Sequence, residues 1–328
     1  MYQRRLLAKR LGSDPYIGDY KIMEEEIGEG SNAVVRMAEH ATTGNRVVCK
    51  VLIKKISTPG SSPYGSPAGS PMSPMYTPSG SPTSCSPMGI SPALMASYQT
   101  LAQKVKDETY REINIMNKLN HENIMKTLQV SEENNYIFIF MDHMDEGDLY
   151  SYIQKHGSFE ESRARMLFSQ MASALAFCHE AKVCHHDIKL ENFVIDSHSG
   201  VKLIDFGYAI DYTTKPDTES FHVFNGSPAY SAPEILDRKA HDETVDVFSL
   251  GICLYYMMSA EFPFCDETRT TYDQLVRNVR QGKFCWPDHF SPSLRDLLSH
   301  MIAKRNLRYS WKQILSHPWL NEDTMSLC

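Results

Sequence analysis

The densest set of chemically capable side chains in this chain lies between Cys184 and Gly207. It reads Cys-His-His-Asp-Ile-Lys-Leu-Glu-Asn-Phe-Val-Ile-Asp and, after a short break, Val-Lys-Leu-Ile-Asp-Phe-Gly. Asp187 and Asp205 stand eighteen positions apart, with Lys189 two and Asn192 five after the first. A positioned carboxylate can take or orient a proton. Carboxylate and carboxamide oxygens are the ligands that a hard divalent cation prefers. Either tripeptide alone would carry little weight. Both together, flanked by apolar strand-like runs, form a specific signal.

These two blocks resemble the eukaryotic protein kinase family. The first matches the catalytic loop H-R-D-L-x-x-x-N, with His186 in place of Arg, and the second is D-F-G. Phosphoryl transfer asks for positioning and charge neutralisation rather than covalent help. The resemblance makes Asp187 the base that accepts or orients the hydroxyl proton, and sets Lys189 beside the transferred phosphate. Asp205 and Asn192 would hold Mg2+. A lysine at position 189 is similar to the Ser/Thr class.

The elements that must position this set can be traced through the rest of the chain. Ile27-Gly28-Glu29-Gly30-Ser31-Asn32-Ala33-Val34-Val35 reads as a glycine-rich hairpin. It resembles G-x-G-x-x-G-x-V, with Ala33 at the third glycine. Glycine lets backbone approach phosphates closely, although a lone G-x-G is as often an ordinary turn. Val35 would pack on adenine. Val47-Val48-Cys49-Lys50 matches V-A-I-K, so Lys50 would hold the α- and β-phosphates. Its carboxylate partner is Glu112, on a helix whose Ile113, Met116 and Leu119 recur on one face. Glu108 is the rival, and the family's spacing favours Glu112. Tyr136–Met141 reads as a strand. By resemblance Met141 is the gatekeeper, and Asp142 to Met144 form the hinge that receives adenine. Asp148 would reach the ribose or a substrate arginine, or serve as a helix N-terminal residue favoured by the dipole. The resemblance also puts Val48, Glu191 and Val194 among the nucleotide-contacting residues.

Composition sets the outer limits. The chain has 328 residues, 42% apolar and 22% charged, which suits a sizeable core. A net charge of −7 argues against a nucleic-acid binder held by phosphate contacts. The eight cysteines lack paired spacing, and no secretory apolar region is visible. A reducing cytoplasmic compartment is expected, with the nucleus as an alternative. The apolar run Val245–Met258 is too short to span a bilayer and reads as a buried helix. No membrane partner is expected. Residues 1–19 carry Arg4, Arg5, Lys9 and Arg10 and read as a short basic helix or an unstructured lead-in. A mitochondrial presequence shares that composition.

Residues 57–97 form the oddest segment. Seven Ser-Pro and two Thr-Pro dipeptides occur between Thr58 and Pro92. Frequent proline removes backbone donors and disfavours helix, so the reading is a disordered insertion. It is either a tolerated spacer or a set of sites for proline-directed kinases and a docking segment for regulators.

Further on, Ser158-Phe-Glu-Glu161 reads as a capping box. The helix after it carries Leu167, Phe168, Met171, Ala174, Leu175 and Cys178 on one face. His179 and His185 are expected to be structural. Asn225-Gly-Ser-Pro-Ala-Tyr-Ser-Ala-Pro-Glu234 resembles the segment before A-P-E in Ser/Thr kinases. Ser227 would bond Asp187 and Lys189. Where many kinases pair the catalytic-loop Arg with a phosphothreonine, this chain has His186 and Val223. Activity independent of phosphate at that position is therefore expected. Protonated His186 would be a weaker anchor, and Thr218 and Ser220 are alternative acceptors. Asp246 would hold the catalytic-loop backbone, and Arg308 would pair with Glu234. Ser291-Pro292 reads as a helix start.

The resemblance implies an α+β, two-lobed kinase fold over residues 20–320. It has a β-rich N-lobe at 20–141, a hinge at 142–144, a helical C-lobe at 145–320 and a short tail at 321–328. It implies a monomeric Ser/Thr kinase using ATP and Mg2+ on protein substrates. The chain is nearest to the calmodulin-dependent and AMP-activated-like branch, with features similar to testis-specific serine kinases. The rival is a nucleotide-binding scaffold working through its insertion, weakened by the presence of Lys50, Glu112, Asp187, Asn192 and Asp205 together. No C-terminal autoinhibitory segment is apparent in the eight residues after Leu320.

Overall fold

The amino-terminal part folds around strand β6 (Tyr136–Asp142), whose side chains are apolar on both faces. Alternation sends Tyr136, Phe138 and Phe140 one way and Ile137 and Ile139 the other. A continuous apolar run of this length is what a strand covered on both sides requires. The computed structural model describes residues 7, 10–12, 14–29, 33–53, 107, 109–133, 136–197, 200–213, 227–266 and 268–321. The sheet is antiparallel with order β1-β2-β3-β4-β6-β5. Its other strands are β1 (Tyr16–Ile17), β2 (Tyr20–Glu29), β3 (Ala33–His40), β4 (Arg46–Ile53) and β5 (Thr127–Glu133). Helix α1, residues 109–118, covers the inner face, where Ile113 packs with Leu52, Ile137 and Ile139.

The outer face favours the short helix over the unstructured lead-in for the described part of residues 1–19. Leu7 and Leu11 are buried among Ile17, Tyr20, Phe138 and Phe140. Leu7 and residues 10–12 are helical. Arg10 also donates to Glu133 Oε2 at 2.5 Å. Strand β1 pairs with β2, so the sheet begins inside the stretch read as a tail. Two leucines burying their side chains offer roughly 3–6 kcal/mol of transfer free energy, enough to hold a segment that its basic residues alone would leave in water. Residues 57–97 lie outside the described residues.

The carboxy-terminal part is helical. Helices α2 (Leu149–His156) and α3 (Glu161–Glu180) precede two short sheets. Strands β7 (Gly147–Asp148), β9 (Phe193–Asp196) and β10 (Gly200–Leu203) form one, and β8 (Val183–Cys184) and β11 (Ile210–Asp211) the other. Helices α4 (Pro233–Leu236), α5 (Thr244–Ser259), α6 (Tyr272–Gln281), α7 (Pro292–Met301), α8 (Trp311–Leu315) and α9 (Pro318–Asn321) complete it. Helix α5 is buried on almost every side, as its apolar run demands. No helix among the described residues is long and apolar enough to cross a membrane. Ser291 caps α7 by accepting from Leu294 N, with Pro292 following. The core residues expected on α3 are all buried.

The capping box expected at Ser158 does not form. The N-cap of α3 is Glu160, without a side-chain bond. Glu161 Oε1 instead accepts from Ser291 Oγ and from Trp319 Nε1, each at 2.6 Å. Two partly buried donors from distant elements outcompete one exposed backbone N–H.

Candidate active site

The short sheets place the chemistry. The loop between β8 and β9 carries Asp187, Lys189 and Asn192, and the turn between β10 and β11 carries Asp205. Asp246, at the start of α5, holds the first loop from below. Its Oδ2 accepts from His185 N at 2.8 Å and its Oδ1 from His186 N at 2.9 Å. Oδ2 also accepts from His179 Nε2 at 2.9 Å and Cys184 Sγ at 3.2 Å. Burial would raise this carboxyl, but the hydrogen bond from His179 outweighs it, and Asp246 is held well below the carboxylate range. His179, Cys184 and Asp246 lie close enough to resemble a metal-ligand set. Trp311 Nε1, however, donates to His179 Nδ1 at 2.7 Å. That fixes the imidazole hydrogen on Nε2, so no lone pair faces the carboxylate. The cluster is a hydrogen-bond network, and His179 is structural.

Above Asp246 the loop residues bond one another. Lys189 Nζ donates to Asp187 Oδ2 at 2.8 Å. Asn192 Nδ2 donates to Asp187 O at 2.7 Å and to Oδ2 at 3.1 Å. With its amide nitrogen turned to Asp187, Asn192 presents its carbonyl oxygen on the other side. Burial works against the Lys189 charge, but its bond to Asp187 keeps the ammonium above its ordinary pKa. His185 is buried, with Nε2 at 3.1 Å from Ile204 O and its ring edge-on to Phe206.

Lys50 on β4 lies at the centre of the second group. Its Nζ donates to Glu112 Oε1 at 2.5 Å and to Asp205 Oδ1 at 2.9 Å. Burial would push the ammonium down. The two carboxylates outweigh it, so Lys50 is held above its ordinary value. Asp205 moves the opposite way: burial raises it, Lys50 lowers it, and the net shift is down. Asp205 has φ +62°, a left-handed conformation that non-glycine residues rarely take and that recurs at functional sites. At Gly207 an added Cβ would sit 3.3 Å from Asp205 Oδ1, so glycine gives this carboxylate its room.

Lys50, Glu112 and Asp205 face a cleft of about 410 Å³, whose lining does not include Asp187, Lys189 or Asn192. Ile27, Gly28, Val35, Val48, Met141, Asp142, Met144, Asp148, Glu191 and Val194 line it together with Lys50, Glu112 and Asp205. An apolar wall with the Lys50 ammonium and carboxylates at one end fits a purine ring and its phosphates. The oxygen donors of Asp205 and Asn192 fit a hard cation such as Mg2+. Glu29 takes part in β2, and Gly30, Ser31 and Asn32 lie outside the described residues, as does Glu108. Ala33 begins β3 and packs against the inner apolar cluster rather than lining the cleft. Met116, Met125, Asp145, Gly147 and Ile204 line the cleft without having been expected there, and His143 lines it as part of the expected hinge. Met116 stands one helical turn after Glu112, and Ile204 directly precedes Asp205, so spacing alone could have found both.

Asp148 takes one of its two expected roles, while Ser227 and His186 fill neither of the bonding roles considered for them. Asp148 caps α2: its Oδ1 accepts from Ser151 N and its Oδ2 from Ser151 Oγ, both at 2.8 Å. The helix-terminus role is thus realised at the mouth of the cleft. Ser227 does not bond Asp187 or Lys189 among the described residues; its carbonyl accepts from Ser231 Oγ at 3.2 Å. Asp187 Oδ2 is already taken by Lys189 and Asn192. His186 is no anchor. Both its ring nitrogens are buried without a hydrogen-bond partner among the described residues, and burial pushes its pKa down to about 4. Val223, Thr218 and Ser220 lie outside the described residues. The expected pair of Arg308 and Glu234 is present and two-pronged, with Nη2 to Oε2 at 2.8 Å.

A family model described as "Protein kinase domain" matches residues 94–320. The match begins after β4, so Lys50 and the glycine-rich hairpin lie outside it. The chain is 29% identical over 297 residues to an SNF1-related protein kinase catalytic subunit alpha, KIN12, from Arabidopsis thaliana. That alignment covers 90% of this chain and 50% of the relative, so the chain spans about half the length of the curated protein it matches.

Proposed function

The chain belongs to the protein kinase domain family, and on that premise we propose that it is a serine/threonine kinase transferring the γ-phosphoryl group of ATP to protein hydroxyls. One observation carries the reading: Lys50 bonds Glu112 and Asp205 at the charged end of the apolar cleft. ATP with Mg2+, when bound, supplies the phosphoryl group and the cation that neutralises it. Asp205 and the Asn192 carbonyl oxygen would hold the cation, and Lys50 the phosphates. Asp187 is set to orient the acceptor hydroxyl and take its proton. Lys189, already paired to Asp187, offers positive charge beside the transferred group, where electrostatic positioning lowers the barrier most. Protein substrates, action as a monomer in a reducing cytoplasmic or nuclear compartment, and regulation through residues 57–97 belong to the same proposal. No observation favours the scaffold alternative.

The test is transfer from labelled ATP with Mg2+ to a degenerate Ser/Thr peptide library. Asp187→Asn and Asp205→Asn should each abolish transfer while the fold persists. Transfer unchanged in either variant would overturn the assignment of that residue. A folded wild type that binds ATP and never transfers, with or without residues 58–96, would overturn the kinase reading itself.

A further inference from the structure

Strand β5 ends in two adjacent glutamates, Glu132 and Glu133. Adjacent side chains of a strand point to opposite faces of the sheet. Their cross-strand partners identify the faces. Glu133 pairs with Tyr136, which belongs to the outer apolar cluster, and Glu132 with Ile137, which belongs to the inner one. Each carboxylate meets a different element. On the outer face, Arg10 donates to Glu133 Oε2 at 2.5 Å, and Leu7 and Leu11 of the same segment are buried. On the inner face, the Tyr110 hydroxyl of α1 donates to Glu132. Tyr110 packs on the inner cluster, and Glu112, two residues on, is the partner of Lys50.

We propose that Glu132 and Glu133 form a two-sided clip through which the docked amino-terminal segment positions α1, and with it Glu112 against Lys50. Arg10 and Tyr110 are then positioning residues for phosphoryl transfer, although neither lines the cleft. Arg10 holds Glu133 on one face and Tyr110 bonds Glu132 on the other, so both contacts act on the same strand end. Lifting the segment frees Glu133, loosens the strand end and relaxes α1. A partner that captures the segment would thus lower activity without touching the nucleotide site. This inference rests on the kinase reading for its consequence, not for its geometry.

Hydrogen exchange on the full chain tests it without relying on activity. Arg10→Gln should speed exchange across residues 109–118 by about two- to fivefold, the range a partly exposed ion pair can supply. Arg10→Lys should restore most of it. Tyr110→Phe should do the same as Arg10→Gln, and the double variant should be no worse than the stronger single one, because both act through one strand end. Transfer measured in parallel should lose kcat/KM for ATP in proportion. The clip is overturned if Arg10→Gln accelerates exchange only in residues 7–12 and β5, or if the two substitutions add. A wild type that exchanges as expected but transfers nothing would sink the kinase reading and leave the clip standing.

Discussion

Replacing Asp246 by Asn keeps the shape and removes the charge at the support of the catalytic loop. Asp246 is buried and accepts four hydrogen bonds, three on Oδ2 and one on Oδ1. The least costly amide orientation keeps the carbonyl oxygen at Oδ2. The NH2 group then faces His186 N–H, two donors with no acceptor between them. One buried unsatisfied donor costs about 1–3 kcal/mol. The bonds from His185 N and His179 Nε2 lose their charge assistance, about 1 kcal/mol each. The sum is about 3–5 kcal/mol. For a folding unit of 150–250 residues that corresponds to about 6–20 °C in Tm. The carboxyl titrates below its ordinary value, so its stabilisation is present above about pH 4 and is lost as the pH falls further. The variant should therefore lack the wild type's steepest acid loss. Thermal unfolding by circular dichroism between pH 3 and 7 measures both effects. Trp311→Phe, which frees the His179 tautomer and trims its ring packing but leaves all four bonds to Asp246 possible, should cost less. A Tm loss under about 3 °C in Asp246→Asn would refute the reasoning, because the four bonds would then be replaceable.

Other outcomes follow from neighbouring sites. The His186 pKa falls from 6.5 to about 4 on folding. Between these values the unfolded chain binds the extra proton, so stability should rise with pH by up to about 1.4 kcal/mol per unit. His186→Asn should flatten that slope in pH-dependent urea melts, and an unchanged slope would contradict the assignment. Arg308 is fully buried and two-pronged on Glu234. Arg308→Ala should cost about 3–5 kcal/mol. Arg308→Lys should recover only part of that, because a single ammonium cannot match the fork; full recovery by Lys would mean that charge alone matters. With His186 neutral and buried, full transfer activity should need no phosphate on residues 218–223. Mass spectrometry showing that activity tracks phosphate there would count against it.

The candidate catalytic set was legible because most of it is local. Asp187, Lys189 and Asn192 share one loop, and their mutual bonds need no knowledge of the rest of the chain. The pairings of Lys50 with Glu112 and of Arg308 with Glu234 join distant positions, and only resemblance to a family made them visible beforehand. Apolar periodicity likewise marked α3, α5 and β6, since a 3.6- or 2-residue repeat is itself the imprint of a buried face. What tertiary structure alone decided is which of several competent partners a polar or amphipathic residue takes. Glu161 had a capping role within three residues, but it turned to donors 130 and 158 positions away. His186 kept its titratable ring, but burial removed its charge. Leu7 and Leu11 sit among basic residues that read as solvated. They are core only because the outer face of β6, more than a hundred residues later, is aromatic and needs a cover. A local pattern records what a residue is able to bond. The free energy that selects among those options is set by burial and by neighbours that only the folded chain brings within reach.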